Sequence, residues 1–175
     1  RDIKGNTIRF VTDGKEEQQL VADRILNAAG RVPNTQGLGL AEAGLTLENG
    51  AIKVSTEGRT SLDGVWACGD VTGRMPLAHA AVREGLVAVK NMCGDSASLD
   101  YGAVPWVVHS HPEVAGVGPR EEQLIERGVA YRKILSPMGL AGRFIIEHEA
   151  ESGTIKVLLG EQDGRILAVH MIGGS

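Results

Sequence analysis

Thr60-Ser-Leu-Asp-Gly-Val-Trp-Ala-Cys-Gly-Asp70 is the most informative stretch of this 175-residue sequence. Its apolar part, Val65 to Cys68, predicts a short buried strand that ends abruptly at Gly69-Asp70. A long apolar segment with helical spacing begins soon afterwards, at Pro76. In an open α/β sheet, a carboxylate at a strand end beside a helix N-terminus is typical of a nucleotide-cofactor site. Asp70 suits a ribose or polyol hydroxyl, because an ionised carboxylate only accepts hydrogen bonds.

Two further segments lie on either side of this motif: Leu26-Asn-Ala-Ala-Gly-Arg-Val-Pro-Asn-Thr35 and Leu77-Ala-His-Ala-Ala-Val-Arg-Glu-Gly85. Together the three segments resemble the pyridine nucleotide-disulphide oxidoreductases, flavoenzymes that include dihydrolipoamide dehydrogenases, glutathione reductases and mercuric reductases. The resemblance implies that the first segment returns the chain from an NAD domain to an FAD domain. It also implies that Asp70 holds the ribityl chain of the flavin.

The resemblance continues to the end of the sequence. Val108-His-Ser-His-Pro-Glu-Val-Ala-Gly-Val-Gly118 looks like the opening of the family's dimerisation domain, with Ser110 where a threonine is usual. Gly142-Arg143 and Asp163-Gly-Arg-Ile-Leu-Ala-Val-His170 also fit that domain. The implied fold class is α/β plus α+β: the remnant of a two-dinucleotide-domain flavoenzyme with an antiparallel α+β dimerisation domain.

Three domains are expected from this resemblance. Residues 1–31 form the tail of the NAD-binding domain, residues 32–98 the second part of the FAD-binding domain, and residues 99–175 a dimerisation domain truncated at its C-terminus. The sequence has no G-x-G-x-x-G phosphate-binding motif and no C-x4-C redox pair, its only cysteines being Cys68 and Cys93. We therefore expect a piece of a larger enzyme, inactive by itself.

The first half of the chain carries several local signals. Thr7–Thr12 and Gln19–Ala22 predict two strands joined by a turn at Asp13-Gly14. Arg24–Ala29 predicts a third strand, which Gly30 ends. Further short elements are expected as a loop or short helix over residues 37–44 and a strand over residues 51–55.

The predicted helix runs from Pro76, a residue suited to the first helical position, to about Met92. Gly94 suits the left-handed position after the helix end. The residues expected to form its apolar side recur at helical spacing: Leu77, Ala78, Ala81, Val82, Leu86 and Val89.

From Tyr101 onward the pattern predicts an antiparallel α+β unit with one helix over Arg120–Arg127. Gly153 and Asp163-Gly164 are expected at hairpin turns. The predicted strands cover residues 104–109, 113–117, 131–135, 143–148, 154–159 and 165–172.

The resemblance implies cofactor contacts for FAD and NAD(P) but no catalytic residue within this sequence. In the family, backbone amides at the helix start approach the flavin ring. His79 is equally well explained as a structural histidine that fixes the helix start. Arg31 could pair with a carboxylate of another domain. The candidate cofactor-binding residues are Gly30, Arg31, Gly69, Asp70, Leu77, Ala78 and His79.

Other chemically versatile residues have simpler interpretations. Glu84 is expected to be a solvated or paired helix carboxylate. Cys68 is expected to be a small buried hydrophobe and Cys93 a surface thiol. His109 and His111 would share one face of a strand, but no third ligand at suitable spacing accompanies them, so we predict no metal site.

Composition excludes some functional classes. The net charge of −4 carries no basic stripe, which argues against nucleic-acid binding. No apolar run approaches the roughly 20 residues of a membrane-spanning helix. Two cysteines without a disulphide pattern favour a reducing, cytoplasmic location.

The function expected from the resemblance is electron transfer between NAD(P)H and a dithiol or disulphide by an FAD-dependent enzyme. Ser110-His-Pro-Glu113 and Gly164-Arg-Ile-Leu-Ala-Val-His170 look closest to the dihydrolipoamide dehydrogenases. The expected partners are a second copy, through residues 99–175, and a 2-oxo acid dehydrogenase complex. Alternatives remain open: an enzyme like mercuric or glutathione reductase, a soluble pyridine nucleotide transhydrogenase, or a dimerisation module without catalysis.

Overall fold

The computed structural model describes residues 2–12, 16–147 and 152–174. The chain divides into two compact units, Arg1–Val32 and Pro33–Ser175, and each has strands of its own. The boundaries of the three expected domains stay predictions.

The first unit is a three-stranded antiparallel sheet of β1 (Asp2–Lys4), β2 (Thr7–Thr12) and β3 (Glu16–Val21) in that order. The strand predicted over Thr7–Thr12 is confirmed, and its partner begins earlier than predicted. The predicted turn at Asp13-Gly14 lies outside the described residues.

The strand predicted over Arg24–Ala29 is wrong, because these residues are irregular. Leu26 is 91% exposed. An apolar run becomes a strand only when a neighbouring backbone accepts and donates its hydrogen bonds. The described sheet of this unit consists of β1, β2 and β3, and none of these strands pairs with residues 24–29.

The second unit begins with a small core beneath a two-stranded hairpin, β4 (Leu47–Glu48) and β5 (Ala51–Ile52). Leu45, Ile52 and Val54 form the centre of this core. Residues 37–44 form turns and no helix, and β5 is shorter than the strand predicted over residues 51–55.

The buried strand predicted over Val65–Cys68 is also wrong. Among the described residues, this segment forms a single isolated β-bridge, between Trp66 and Arg59. The Arg59 guanidinium also lies 5.0 Å from the centre of the Trp66 ring. Val65 and Ala67 pack on the small core, but Cys68 is exposed. The segment is thus an extended loop, because the described neighbours provide one bridge and no continuous strand.

Helix α1 spans Ala78–Met92, close to its predicted bounds. Gly94 follows it with φ of 93°, as predicted. Pro76, however, precedes the N-cap residue Leu77 and does not occupy the first helical position. The N-cap is thus shifted by two residues, because Leu77 keeps extended dihedrals.

The buried side of α1 differs from the predicted apolar stripe. Val82, Leu86 and Val89 are 63%, 52% and 55% exposed. The helix packs through small side chains, with Ala88 lying 3.5 Å from the position of a Cβ on Gly58. The buried side chains are Ala80, Glu84, Ala88 and Asn91.

A five-stranded antiparallel sheet follows, in the order β6-β7-β10-β9-β8. Helix α2 (Glu121–Glu126) covers it, packing Leu124 against Leu158 and Ala168. The predicted antiparallel α+β unit is therefore confirmed. Its strands are β6 (Trp106–Val108), β7 (Val114–Val117), β8 (Tyr131–Pro137), β9 (Thr154–Gly160) and β10 (Ile166–Ile172).

The strand predicted over Arg143–His148 is wrong, since helix α3 spans Gly142–Glu147 and His148 lies outside the described residues. An ion pair of 2.8 Å between Arg143 and Glu147 joins successive turns of α3. β8 already pairs directly with β9, with Pro137 opposite Thr154. Residues 143–147 therefore do not form a strand between β8 and β9. Gly153 accordingly is not the hairpin turn predicted between such a strand and β9.

The longest helix among the described residues, α1, has 15 residues, and none of the described helices has the length and hydrophobicity of a membrane-spanning segment.

Candidate functional site

The predicted cofactor loop is a sharp bend at Gly69. This residue has φ of 82° and ψ of −162°, a backbone conformation accessible essentially to glycine alone. Asp70, which is half-buried, begins the 3-10 turn Asp70–Thr72. Gly73 ends the turn in the left-handed region. The bend therefore turns the chain within a few residues, with Asp70 at its start.

Hydrogen bonds fix Gly69 from both sides. Its carbonyl oxygen accepts from the Thr72 hydroxyl at 2.9 Å and from the Thr72 backbone N–H at 3.0 Å. Its own N–H donates to Oε2 of Glu84 at 2.6 Å. Thr72 is 6% and Glu84 5% exposed. Because these bonds are shielded from water, the peptide groups next to Asp70 have a fixed orientation.

Glu84 is buried, where the sequence suggested a solvated or paired helix carboxylate. Besides Gly69, it accepts a hydrogen bond from the Tyr101 hydroxyl at 2.9 Å. Burial raises the pKa of Tyr101, so this hydroxyl remains a donor. Sequence reasoning did not link Glu84, Thr72 and Tyr101 to the site. One signal was present: Glu84 stands between Ala80 and Ala88 on the buried side of α1.

The start of α1 lies against the same bend. A Cβ placed on Gly69 would lie 3.5 Å from Cβ of Ala81, in the first turn of the helix. The N-cap residue of α1 is Leu77, whose apolar side chain cannot cap the helix. A helix N-terminus favours negative charge. The candidate residues Gly69, Asp70, Leu77, Ala78 and His79 therefore all belong to one bend and the helix start that follows it.

His79 has a partner that supports the structural interpretation. Its Nε2 lies 2.7 Å from the carbonyl oxygen of Pro105, so Nε2 is the donor. This bond ties the first turn of α1 to the residue before β6. A cofactor contact of its side chain stays a prediction.

Gly30 and Arg31 belong to the other unit, Arg1–Val32. Gly30 has φ of 93°, which a residue with a side chain rarely adopts. The pairing of Arg31 with a carboxylate of another domain stays a prediction.

The two thiols are free, and both are exposed. The expectation that Cys68 is buried is therefore wrong, whereas the surface position of Cys93 is confirmed. Cys68 is exposed because the extended loop that carries it is not an inner strand of a sheet. Its Sγ lies 3.9 Å from the position of a Cβ on Gly85 of α1.

The histidine pair, His109 and His111, lies just beyond β6. His109 Nδ1 lies 2.7 Å from a carboxylate oxygen of Glu113. A cis peptide bond joins His111 to Pro112. Within residues 2–12, 16–147 and 152–174, no group of three or more His, Cys, Asp or Glu side chains could hold a metal ion.

The donor set of this site suits one end of a flavin nucleotide. Asp70 would offer carboxylate oxygens to the hydroxyls of a ribityl chain, and the start of α1 would offer backbone N–H groups to an electron-rich ring. A pyrophosphate needs a glycine-rich loop leading into a helix, and the sequence has no such motif.

Two family models match the chain. Residues 1–85 match the pyridine nucleotide-disulphide oxidoreductase model. Residues 104–175 match the model of that family's dimerisation domain.

Curated relatives and a solved structure agree with these matches. The chain is 39% identical over 173 residues to the mitochondrial dihydrolipoyl dehydrogenase of Caenorhabditis elegans, covering 97% of this chain and 35% of the relative. It is 36% identical over 169 residues to the dihydrolipoyl dehydrogenase of Cupriavidus necator, covering 96% and 35%. The crystal structure of LpdA from Mycobacterium tuberculosis superposes with a TM-score of 0.81 at 27% identity, covering 97% and 37%. The chain thus spans about a third of the length of its relatives.

Proposed function

The chain belongs to the pyridine nucleotide-disulphide oxidoreductase family, and we propose that it forms part of an FAD-dependent oxidoreductase. In this proposal the enzyme transfers electrons between NAD(P)H and a dithiol or disulphide. Residues 1–31, 32–98 and 99–175 contribute to its NAD-binding, FAD-binding and dimerisation domains.

The bend at Gly69-Asp70 is the observation that carries this proposal. A glycine-only conformation, held on both sides by buried hydrogen bonds, presents a carboxylate beside the uncapped start of a 15-residue helix. A loop needed only for chain reversal would not require such constraint. Glycine at such a position also leaves room for a ligand to approach the backbone closely.

Each candidate residue has a defined part in holding the cofactor. Asp70 accepts hydrogen bonds from ribityl hydroxyls, and Gly69 allows close approach. Leu77, Ala78 and His79 contribute backbone groups at the helix start. Gly30 and Arg31 stand where the chain returns from the NAD-binding domain. FAD, when bound, supplies the hydride and electron chemistry that amino-acid side chains lack.

Dihydrolipoamide is the substrate that we favour. Both curated relatives described above are dihydrolipoyl dehydrogenases, at 39% and 36% identity. A 2-oxo acid dehydrogenase complex would then be the partner that delivers the dithiol. The alternatives are an enzyme like mercuric or glutathione reductase and a soluble transhydrogenase. The residues of the Gly69-Asp70 bend and of the helix start would contact the flavin, so they do not select among the substrates of these enzymes.

An apolar surface supports a homodimer through residues 99–175. Val117, Val169, Val157 and Ile134 lie in register across four strands. The neighbouring row includes Val107 and Met171, and three of these side chains are notably accessible: Val107 at 39%, Ile134 at 41% and Met171 at 37%. Helix α2 packs on the opposite face, with Leu124 against Leu158 and Ala168. A second copy would remove this surface from water.

The complete gene product, purified and assayed with several substrates, tests the proposal. We expect a yellow protein that carries flavin and reduces NAD with dihydrolipoamide. Preferred turnover of glutathione disulphide, mercuric ion or a second pyridine nucleotide would select one of the alternatives. A colourless protein without NADH oxidation would overturn the proposal. The 175-residue chain alone should lack turnover and bind FAD more weakly than micromolar, because it has no pyrophosphate-binding motif.

A further inference from the structure

Glu84 is an unusual residue on the buried side of α1. The helix packs there through Ala80 and Ala88, and a glutamate between them brings a carboxylate to 5% exposure. Burial of such a group is unfavourable unless hydrogen bonds replace those of water. Its two oxygens accept from two different neutral donors, the Gly69 N–H and the Tyr101 hydroxyl. An apolar side chain would fill the same space without this cost, so the carboxylate needs an explanation of its own.

The bond to Gly69 provides one. Because glycine has more backbone freedom than any other residue, hydrogen bonds from its surroundings are needed to hold Gly69 in this one conformation. Thr72 holds the carbonyl side of this residue, and Glu84 holds the N–H side at 2.6 Å. Asp70 is the next residue, so the direction in which its carboxylate leaves the bend depends on both constraints.

The bond to Tyr101 extends the same arrangement toward the five-stranded sheet. Tyr101 begins the 3-10 turn Tyr101–Ala103, which leads into β6. The Arg74 guanidinium lies 5.1 Å from the centre of the Tyr101 ring and donates to the carbonyl oxygen of Val54 at 2.7 Å. Tyr101 is thereby held in place as a donor to Glu84.

We propose that Glu84 is a positioning residue: it orients Asp70 for the flavin by fixing the N–H of Gly69, and Tyr101 holds Glu84 in the required rotamer. This inference rests on the proposed function, because it takes Asp70 to be a flavin ligand. According to this inference, Glu84 increases the retention of FAD in addition to contributing to the stability of the fold.

The experiment compares flavin release from the complete holoenzyme and its variants. Glu84→Ala removes both acceptors. Glu84→Gln keeps the size but turns one acceptor into a donor, so only one of the two bonds can remain. Tyr101→Phe removes only the outer bond. The matched control is Asn91→Ala, a buried residue of the same helix face whose side chain bonds to Val87 and Ala97 instead.

We expect Glu84→Gln and Glu84→Ala to speed FAD release about tenfold or more, the equivalent of one hydrogen bond to a charged group. Tyr101→Phe should have a smaller effect in the same direction. Asn91→Ala should release FAD within about twofold of the parent, even where urea shows a similar loss of stability. Hydrogen exchange of the peptide covering residues 66–72 should increase most in the Glu84 variants, less in Tyr101→Phe and not in Asn91→Ala.

Combination with Asp70→Asn separates positioning from general destabilisation. If Glu84 acts through Asp70, Glu84→Gln should speed release little further once Asp70 is replaced. Fully additive effects, or Glu84 variants that retain FAD like Asn91→Ala while Asp70→Asn releases it, would overturn the positioning role. If Asp70→Asn itself retains FAD, the flavin assignment fails and this inference fails with it. Should Glu84→Ala not fold, Glu84→Gln and Tyr101→Phe decide the question.

Discussion

The Lys156 ammonium group lies 2.7 Å from Oε1 of Glu121, joining β9 to the first turn of α2. Lys133 of β8 lies 3.1 Å from the other carboxylate oxygen, and the Tyr131 hydroxyl donates to the same oxygen at 3.1 Å. These hydrogen bonds, with that of Lys156 the strongest, lower the pKa of Glu121 to about 2. Three side chains of the sheet thus hold α2 in place, and α2 packs Leu124 onto the sheet.

The stability of this unit should therefore depend on pH in the acid range. The pKa of Glu121 is lower in the folded state than the ordinary value of 4.5. Its contribution is thus complete above about pH 4.5 and disappears as the pH falls toward 2. Glu121→Gln should cost about 1–2 kcal/mol at pH 7, and urea unfolding should show a flatter pH profile below 4.5. Glu126→Gln, an exposed glutamate of the same helix, is the control. Identical profiles for parent and Glu121→Gln would contradict this account.

Gly118→Ala should destabilise the five-stranded sheet severely. A Cβ at this position would collide with the carbonyl oxygen of Leu167 and lie 2.8 Å from Cα of Ala168. Because both are backbone atoms, relief requires movement of β10, and we expect a loss of more than about 3 kcal/mol. Gly128→Ala measures the cost of the positive φ alone, because Gly128 also has a positive φ and a Cβ added there would have nothing within 4 Å. That variant should lose about 1–2 kcal/mol. Equal melting temperatures of the two variants would show that the packing at Gly118 is wrong.

Both cysteines of the 175-residue chain should react with a thiol reagent under native conditions. Each is exposed and neither is in a disulphide. We expect two thiols to be labelled in the native chain, with Cys68→Ser and Cys93→Ser each leaving one. A native chain with a single labelled thiol, the second appearing only in denaturant, would contradict the exposed position of Cys68.

Association through the apolar sheet face should be sensitive to a single charge. Val169→Glu places a carboxylate at the centre of the row formed with Val117, Val157 and Ile134. We expect sedimentation to show a shift from dimer to monomer, because burying an unpaired charge is unfavourable. Ile125→Glu, on helix α2 and 66% exposed, should leave association unchanged. A dimer that survives Val169→Glu would place the interface elsewhere.

Local patterns were sufficient where the deciding interactions are close in sequence. The helix after Pro76, Gly94 beyond its end and the hairpin of β9 and β10 at Asp163-Gly164 could all be predicted from spacing and turn chemistry. The bend that bears Asp70 was located by its short motif and by the resemblance of the flanking segments.

Elements that depend on distant partners could not be predicted. Val65–Cys68 and Arg24–Ala29 are apolar enough for strands, but composition does not reveal whether a neighbouring backbone is available. Residues 143–147 contain a short apolar run typical of a strand, but β8 pairs directly with β9 and the Arg143–Glu147 ion pair joins successive turns of a helix. The hydrogen bonds of Glu84 join it to Gly69 and Tyr101, 15 and 17 residues away in sequence.

Flavin retention by the Asp70→Ala variant of the complete gene product tests the central assignment most directly. A carboxylate that accepts a hydroxyl hydrogen bond contributes about 1.5–3 kcal/mol, so the FAD dissociation constant should rise about 10- to 100-fold. Asp63→Ala, which removes an exposed aspartate from the preceding turn, should leave the constant unchanged. Equal FAD affinity of Asp70→Ala and the parent, measured by flavin fluorescence, would contradict the assignment of this bend to the cofactor.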